Sequence, residues 1–297
     1  MTTPNGLLLV DKDAGPTSHD VVARVRRLVG EKRVGHAGTL DPMATGLLVL
    51  ALGPSTRLLR FAQAGEKQYE GRALLGVATD SLDADGAVVA RADVPAFSDE
   101  DLESAALSLT GEQLQVPPMV SAIKVAGTRL HELARRGEEV ERAPRAITVS
   151  AFSVTRSGED EISFAVTCTT GTYVRVLLSD LAERLGTVGH LVALRRTRSG
   201  SHRVTDALTL GDLTERVGRG ETPWRPPASF VEHLAHVTLG DDDVVRVRRG
   251  QRVALDAPAD EVAALDGSGA LVAMLARRGD LFQPELVLPD EHDDGQR

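Results

Sequence analysis

A single carboxylate, Asp41, stands in the stretch RVGHAGTLDPMATGLLVLALG, residues 33–53, between a loop of small residues and a run of hydrocarbon side chains. Arg33 and His36 lie just upstream, so a cation, a base and an acid share one short segment. A carboxylate placed in this way can act as a nucleophile or as a base. Asp41 followed by Pro42 is also the pattern of a helix N-cap, and in that case Asp41 would have a structural role and no catalytic one. The local pattern leaves both interpretations open.

The segments around Asp41 have the patterns of elements that could hold a loop rigid. Residues 6–12, GLLLVDK, and 46–52, GLLVLAL, are short apolar runs, which indicates two buried strands. Residues 17–30 begin with the capping pair Thr-Ser, continue with valines and a leucine at helical spacing, and end at glycine, which predicts a helix. Asp41 is therefore predicted to lie in a loop that enters the core.

The chain beyond this region alternates between strand and helix patterns. Apolar runs, some of them alternating, predict strands at 68–76, 87–92, 147–154, 161–168 and 190–200. We expect the last strand to expose its arginines at 195–198. Helices are predicted at 98–109, with an acidic first turn, and at 171–186, with an amphipathic pattern. Residues 116–140 begin with Pro-Pro and continue as a basic helical segment, which indicates an excursion from the main body.

Length and composition predict the domain organisation. The chain has 297 residues, of which 42% are hydrophobic, enough for one large domain and a small one. The Pro-dense segment at 221–230 marks a boundary, so we predict a main domain over 1–228. Residues 232–289 contain short apolar segments separated by turns, including VVRVRRGQRV, which is typical of a small β-rich module. The acidic tail, 290–297, is predicted to be disordered.

The residue inventory disfavours several classes of protein. With one cysteine, Cys168, the chain has no internal disulfide and no multi-cysteine metal site, and we predict no metal. No stretch approaches the roughly 20 apolar residues of a membrane span. The N-terminal apolar run lacks the basic leader of a signal peptide. We therefore expect a cytoplasmic enzyme or binding protein with no membrane partner.

Charge is distributed unevenly along the chain. The net charge of −9 argues at first against a nucleic-acid partner, because phosphate binding depends on Lys and Arg. However, residues 1–60, 121–149 and 172–203 each carry a net positive charge, and the remainder is strongly acidic. A chain that separates its charges can present a basic face to nucleic acid. Ordinary solvated helix faces would give the same pattern.

Five sequence blocks between about residue 6 and about residue 200 carry a resemblance. They are DKDAGPTSHDVVARVRRL, GHAGTLDPMATGLLVLALG, KQYEG, PPMVSAIKVAGTRLHELARRG and GTYVRVLLSDLAERLGTVGHLVALRR. In this order and spacing they closely resemble the bacterial TruB-type tRNA pseudouridine synthases. One block alone would be suggestive, whereas five in one order are strong evidence.

The resemblance implies both an activity and a fold. Enzymes of this family isomerise the uridine at position 55, in the T arm of tRNA, to pseudouridine, and need no cofactor; the chain accordingly lacks a P-loop and a dinucleotide fingerprint. The implied fold is α+β, with a mixed, largely antiparallel central sheet, flanking helices and a small C-terminal PUA-like module. We expect the T-arm stem-loop of tRNA as partner, a monomer, and no obligatory protein partner.

The resemblance also assigns three residues to the active site. Asp41 occupies the place of the family's essential carboxylate, with its role as nucleophile or base left open. Tyr69, in KQYEG, matches the aromatic that stacks on the target base, which must be flipped out because a folded loop hides its glycosidic bond. Arg175, in GTYVRVLL, matches the arginine that pairs with the carboxylate and would keep it ionised.

Six residues are assigned to RNA binding: His36, Lys12, Lys124, Arg129, Arg195 and Arg196. His36 matches the histidine of a family loop that lies against the RNA. Lys12 is expected either to touch RNA or to support the loop. The segment 116–140, which carries Lys124 and Arg129, matches a mobile insertion that closes on the T arm.

Two alternatives belong to other functional classes. The separation of charges also fits an RNA-binding or RNA-folding protein whose pocket chemistry is secondary. A guide-RNA-dependent pseudouridine synthase, in which partner proteins and a guide select the uridine, is the other. The insertion at 116–140 and the lack of long basic extensions favour the stand-alone type.

Overall fold

The structure is a computed structural model that describes residues 3–63, 65–121, 123–125 and 127–290. The tail predicted to be disordered lies outside the described residues, apart from Asp290. Two compact units divide the chain. The first comprises the described parts of Met1–Pro42, Gly46–Ala64 and Gly200–Arg297, and the second comprises those of Met43–Thr45 and Gly65–Ser199.

The strands are numbered in chain order. They are β1 (Gly6–Lys12), β2 (Val34–His36), β3 (Thr45–Leu52), β4 (Lys67–Leu75), β5 (Val77–Thr79), β6 (Val88–Arg91), β7 (Gly111–Gln115), β8 (Lys124–Val125), β9 (Thr128–Arg129), β10 (Arg145–Arg156), β11 (Glu161–Cys168), β12 (Gly189–Ser199), β13 (His202–Arg203), β14 (Leu208–Thr209), β15 (His236–Thr238), β16 (Glu261–Leu265), β17 (Leu271–Arg278) and β18 (Leu281–Val287).

The α-helices are α1 (Ser18–Val29), α2 (Leu59–Ala62), α3 (Asp99–Ser108), α4 (Leu130–Arg135), α5 (Val174–Arg184), α6 (Leu210–Gly218) and α7 (Asp241–Arg248). Within the described ranges, the longest helix has 12 residues, and none has the length and hydropathy that crossing a membrane requires. The strands predicted around Asp41 and the helices predicted at 17–30, 98–109 and 171–186 are confirmed to within a few residues.

The first unit contains the strands and the helix that flank Asp41. β1 pairs antiparallel with β3 and parallel with β14, and β2 pairs antiparallel with β3. All but the first residue of β3 are buried, as expected for a continuous apolar run. A separate sheet in the order β15–β16–β17–β18 lies in the same unit, and side chains such as Val49, Phe230 and Met274 share one core.

The helix α1 illustrates how local sequence determines an element boundary. Thr17 and Asp20 form a reciprocal capping box, in which each side chain accepts a hydrogen bond from the other's backbone N–H. The helix ends at Gly30, whose φ of 71° is left-handed and therefore favours glycine. The sequence predicted the start of the helix from Thr17 and Ser18 and its end from Gly30.

The second unit contains an antiparallel run of strands in the order β12–β4–β11–β10–β7. The hairpins β5–β6 and β8–β9 lie outside this run. The fold is thus α+β with mixed, largely antiparallel strand pairing and a small C-terminal β-rich sheet, as predicted.

Two predicted elements differ from the observed ones. Residues 241–248 form the helix α7, where an apolar segment of a β-rich module was expected. The three aspartates of its first turn and the arginines of its last turn complement the helix dipole, which stabilises a helix despite the valines. The segment 116–140, expected to be helical, contains the β8–β9 hairpin before the short helix α4.

Candidate active site

Asp41 lies in the loop between β2 and β3 and is half-buried. Residues 42 and 43 form a turn, and β3 begins at Thr45, so no helix begins at Pro42 and the N-cap interpretation is wrong. Gly38 and Gly46, at either end of this loop, have φ of 92° and 97°. Residues other than glycine rarely adopt these values, which explains the glycines at these two positions.

Hydrogen bonds hold the backbone on both sides of Asp41. The Ser18 hydroxyl, at the start of α1, donates to the Leu40 carbonyl at 3.1 Å and accepts from the Leu40 N–H at 2.9 Å. The Lys12 ammonium, at the end of β1, donates to the Pro42 carbonyl at 3.0 Å. The residues immediately before and after Asp41 are therefore fixed to regular elements, which restrains the position of the carboxylate.

Lys12 is 0% exposed. Its ammonium also donates to the carbonyl of Asp13 at 2.9 Å. This geometry favours the second of the two expected roles, support of the loop. A buried cation is therefore bonded directly to the backbone of the loop that carries Asp41.

His36 is the last residue of β2, and its side chain is half-buried in the same unit as Asp41. Its ring meets that of His19 edge to face, with 5.4 Å between the ring centroids. The strand therefore holds the histidine in a defined orientation near the start of the Asp41 loop.

Tyr69 is the third residue of β4, in the second unit, and its side chain is buried. In the register of the sheet it lies opposite Val166 on β11 and opposite Arg196 on β12. Cross-strand neighbours such as these have side chains on the same face. Tyr69 and Arg196, both assigned to the site from sequence, are thus brought together by strand pairing.

Arg196 corrects one expectation about the arginines of β12. All three were expected to be exposed, but Arg196 is 0% exposed, and Arg195 and Arg198 are half-buried. The cause is the alternation of side chains along a strand, which places Arg196 on the same buried face as Tyr69. Arg198 instead forms an ion pair with Glu66 at 3.5 Å.

A second cation, Lys67, occupies the same face as Tyr69, two residues earlier on β4. Burial, reinforced by the positive charge of Arg196, lowers the pKa of Lys67 to about 8. Lys67 lies opposite Cys168, and burial raises the pKa of that thiol to about 11. The face around Tyr69 is therefore rich in buried positive charge, which suits an anionic ligand.

Arg175, in the first turn of α5, is 3% exposed, and its guanidinium is held at three points. It donates to the carbonyl of Ser81 at 2.6 Å and to the carbonyl of Val120 at 2.9 Å. It also forms an ion pair with Asp83, with 3.3 Å between Nη1 and Oδ2. A planar guanidinium bound in this way has a fixed orientation.

Sequence reasoning missed the partners of Arg175. The segment TDSLDADG, residues 79–86, lies between the strands predicted at 68–76 and 87–92 and has the composition of a turn. Asp83 is nevertheless buried there and accepts a short hydrogen bond of 2.5 Å from the Ser81 hydroxyl. In the structure, the burial of this carboxylate marks it as a candidate functional group. In the sequence, the same Asp, Ser and Gly residues are typical of an exposed turn. The pairing of Arg175 with Asp41, which belongs to the other unit, stays a prediction.

Lys124 and Arg129, the remaining RNA-binding candidates, lie at paired positions of the β8–β9 hairpin. Their side chains lie outside the described residues. Their assignment to RNA binding stays a prediction.

Comparisons with known proteins define the class and then the family. The fold matches a solved structure titled "Crystal Structure of a Cbf5-Nop10-Gar1 Complex" with a TM-score of 0.75 and 27% sequence identity, covering 97% of this chain and 86% of that one. The profile described as "TruB family pseudouridylate synthase (N terminal domain)" matches residues 26–174. A second, "tRNA pseudouridylate synthase B C-terminal domain", matches residues 175–223.

Curated relatives extend the match over nearly the whole chain. A protein of Streptococcus pneumoniae serotype 4 named "tRNA pseudouridine synthase B" is 40% identical over 95% of this chain and 99% of its own length. A protein of Rhodococcus jostii with the same name is 45% identical over 92% of this chain and 90% of its own length. The fold is therefore that of a pseudouridine synthase, an isomerase. The chain belongs to the TruB family.

Proposed function

We propose that this enzyme converts the uridine at position 55, in the T arm of tRNA, to pseudouridine, with Asp41 as the essential carboxylate. The observation that carries the proposal is the half-buried Asp41 loop, fixed on both sides and lying within the residues that match the family profile. The tRNA substrate is supported by the name shared by the relatives in Streptococcus pneumoniae and Rhodococcus jostii.

The reaction is an isomerisation in which atoms and electrons balance within one nucleotide. The bond between N1 of the base and C1′ of the ribose breaks, and a bond between C5 and C1′ forms. C5 loses its proton and N1 gains one, so no oxidant, reductant or co-substrate is consumed. Asp41 supplies the carboxylate that this chemistry needs, as a nucleophile or as a base.

The target base must leave the RNA stack before its glycosidic bond can be reached. We assign the stacking surface for the flipped base to Tyr69, which the sheet holds in place from both sides through β11 and β12. Stacking of a nucleic-acid base on an aromatic side chain is worth about 1–3 kcal/mol. Arg175 is assigned the role of holding and orienting the ionised Asp41.

Substitution of Tyr69 separates stacking from proton transfer. Tyr69→Phe keeps the aromatic face, whereas Tyr69→Leu removes it, so we expect the leucine variant to lose at least as much turnover, about 10- to 100-fold on the scale of one stacking interaction. Both variants should fold and bind tRNA. The measurement is single-turnover pseudouridine formation with saturating enzyme.

The results for the two Tyr69 variants distinguish base stacking from proton transfer and from a simple RNA contact. A defect in Tyr69→Phe as large as that in Tyr69→Leu would assign the hydroxyl to proton transfer. Loss of tRNA binding with an unchanged rate in the bound complex would make Tyr69 an ordinary RNA contact. Phe152, a half-buried aromatic of β10, offers a matched control, since Phe152→Leu should leave the rate unchanged.

RNA binding is assigned to the basic stretches of the chain. Within the proposed catalytic domain, 1–228, we assign RNA contacts to His36, Lys124, Arg129 and Arg195, with Lys12 supporting the loop. Arg196, which is 0% exposed and paired with Tyr69, is assigned a contact with the flipped nucleotide only. The insertion at 116–140 would close on the T arm. The C-terminal sheet lies within 232–289, the proposed PUA-like module, although the aspartates at the start of α7 do not favour phosphate.

A guide-dependent mode of action is the second candidate, because the structural neighbour is titled as a Cbf5 complex with two further proteins. The stand-alone mode is favoured by the higher identity, 40% and 45%, to relatives named "tRNA pseudouridine synthase B". We propose a cytoplasmic monomer without an obligatory protein partner.

A T-arm stem-loop incubated with the purified protein alone tests this choice. Pseudouridine should form at the position equivalent to 55 with no other macromolecule added. A requirement for an added guide RNA or protein would favour the guide-dependent alternative. Binding without any product would favour an RNA-binding protein whose chemistry is secondary.

A further inference from the structure

The first turn of α5, which carries Arg175, is capped by a side chain from a distant strand. Tyr173, the N-cap residue, makes no side-chain hydrogen bond to its own helix. The Tyr173 N–H instead donates to Oε1 of Gln115 at 2.8 Å, and Nε2 of Gln115 donates to the Tyr173 carbonyl at 3.1 Å. The first N–H groups of a helix lack intrahelical partners. Here the side-chain amide of Gln115 accepts from one of these groups, the Tyr173 N–H, and also donates to the Tyr173 carbonyl.

The burial of Gln115 makes the loss of these two hydrogen bonds costly. It is the last residue of β7 and is 5% exposed, so its amide is shielded from water. A buried backbone group that loses its partner carries the full cost of its desolvation. The Tyr173 carbonyl also accepts from the Leu177 N–H at 3.1 Å, whereas the buried amide of Gln115 would lose both of its bonds to Tyr173 if the α5 terminus moved. The positions of Gln115 and of the α5 terminus are therefore coupled.

The same stretch of chain also holds the far end of the Arg175 side chain. The carbonyl of Val120, five positions after Gln115, accepts a hydrogen bond from the guanidinium at 2.9 Å. The backbone from which Arg175 extends and the guanidinium at its tip are therefore both bonded to residues 115–120. This stretch includes the first residues of the insertion at 116–140.

We propose that Gln115 is a positioning residue for the isomerisation, which sets the place of Arg175 by clamping the N-terminus of α5 to the root of the insertion. The inference rests on the proposed function of Arg175. Because both hydrogen bonds of the clamp go to the backbone of Tyr173 at the start of α5, its loss should slow the chemical step without weakening tRNA binding. A misplaced active-site group costs about 10- to 100-fold in rate.

The variant Gln115→Glu tests the clamp through pH. An ionised glutamate keeps the acceptor for the Tyr173 N–H but directs a second negative oxygen at the Tyr173 carbonyl. A protonated glutamate restores a donor and reproduces both hydrogen bonds. Burial raises the pKa of such a carboxyl above its usual value of about 4.3. The ratio of variant to wild-type kcat should therefore rise as pH falls from about 8 to about 5.

Two further variants keep the test decisive. Gln115→Met preserves length and approximate volume and removes both hydrogen bonds, so it should lower kcat by about 10- to 100-fold at every pH. Gln113→Glu is the matched control: Gln113 lies two positions earlier on β7, and its amide donates to the Leu109 carbonyl rather than to α5. Its ratio to wild type should stay near one across the range.

The measurements are kcat, KM and tRNA affinity for each variant, with thermal melting to establish that each folds. The inference predicts a fall in kcat at unchanged tRNA affinity and a pH-dependent recovery in Gln115→Glu alone. Wild-type kcat in Gln115→Met, or identical pH ratios for Gln115→Glu and Gln113→Glu, would overturn it. Failure of the proposed function would appear differently, as a wild-type protein that forms no pseudouridine in tRNA.

Discussion

Replacing Asp41 with asparagine is expected to abolish pseudouridine formation while tRNA binding survives. The amide has the shape of the carboxylate but neither its charge nor its basicity, and either role open to Asp41 requires the ionised oxygen. We expect the single-turnover rate to fall by more than about 10³-fold, the scale of losing a group that acts directly in the chemistry. Rate and tRNA affinity are to be measured on the same preparation.

Asp93→Asn is the matched control for this substitution. Asp93 is an exposed aspartate of the second unit, and the same change there removes one negative charge from the surface. It should leave both rate and affinity unchanged. An Asp41→Asn rate within about tenfold of wild type would contradict the assignment, since loss of a reacting group costs more than that.

Replacing Arg175 with lysine is expected to lower the turnover of bound tRNA by about 100-fold, on the scale of losing buried charge-assisted hydrogen bonds. Lysine retains the charge but lacks the planar fork that reaches Ser81 and Val120 together. The lysine at position 175 would keep the positive charge but would not have the fixed orientation of the guanidinium. The rate of the bound complex, measured separately from affinity, is the relevant quantity.

Asp83→Asn should reproduce part of the Arg175 effect. The asparagine can still accept a hydrogen bond from the guanidinium, but it removes the buried ion pair, so we expect a smaller loss, about tenfold. Arg184→Lys, at the exposed end of the same helix, is the control and should behave as wild type. If Arg175→Lys weakened tRNA binding and left the bound rate unchanged, Arg175 would be an RNA contact only.

The parts of the fold that follow from local sequence were predictable. The ends of α1 are specified by residues at or next to those ends, namely Thr17, Asp20 and Gly30. The strand β3 is a continuous apolar run, so it has no polar face that could lie against water. Asp41 could be assigned because its motif carries a family resemblance. The structure adds why its position is restrained, through Lys12 and Ser18.

The parts that depend on pairing between distant residues were not predictable. Arg196 is buried because of its register against Tyr69, and a strand with three arginines gives no sign of which one points inward. Gln115 and Tyr173 are 58 positions apart, and Arg175 and Asp83 belong to segments that look like an ordinary helix and an ordinary turn. Their roles come from tertiary contacts, which local patterns do not encode.

The most direct test of the central claim is to map pseudouridine at nucleotide resolution in a full-length, unmodified tRNA incubated with the purified protein. The wild-type protein alone should produce pseudouridine at position 55 and at no other position, and Asp41→Asn should produce none. Pseudouridine at a different position, no pseudouridine without an added partner, or an unchanged yield with Asp41→Asn would contradict the account.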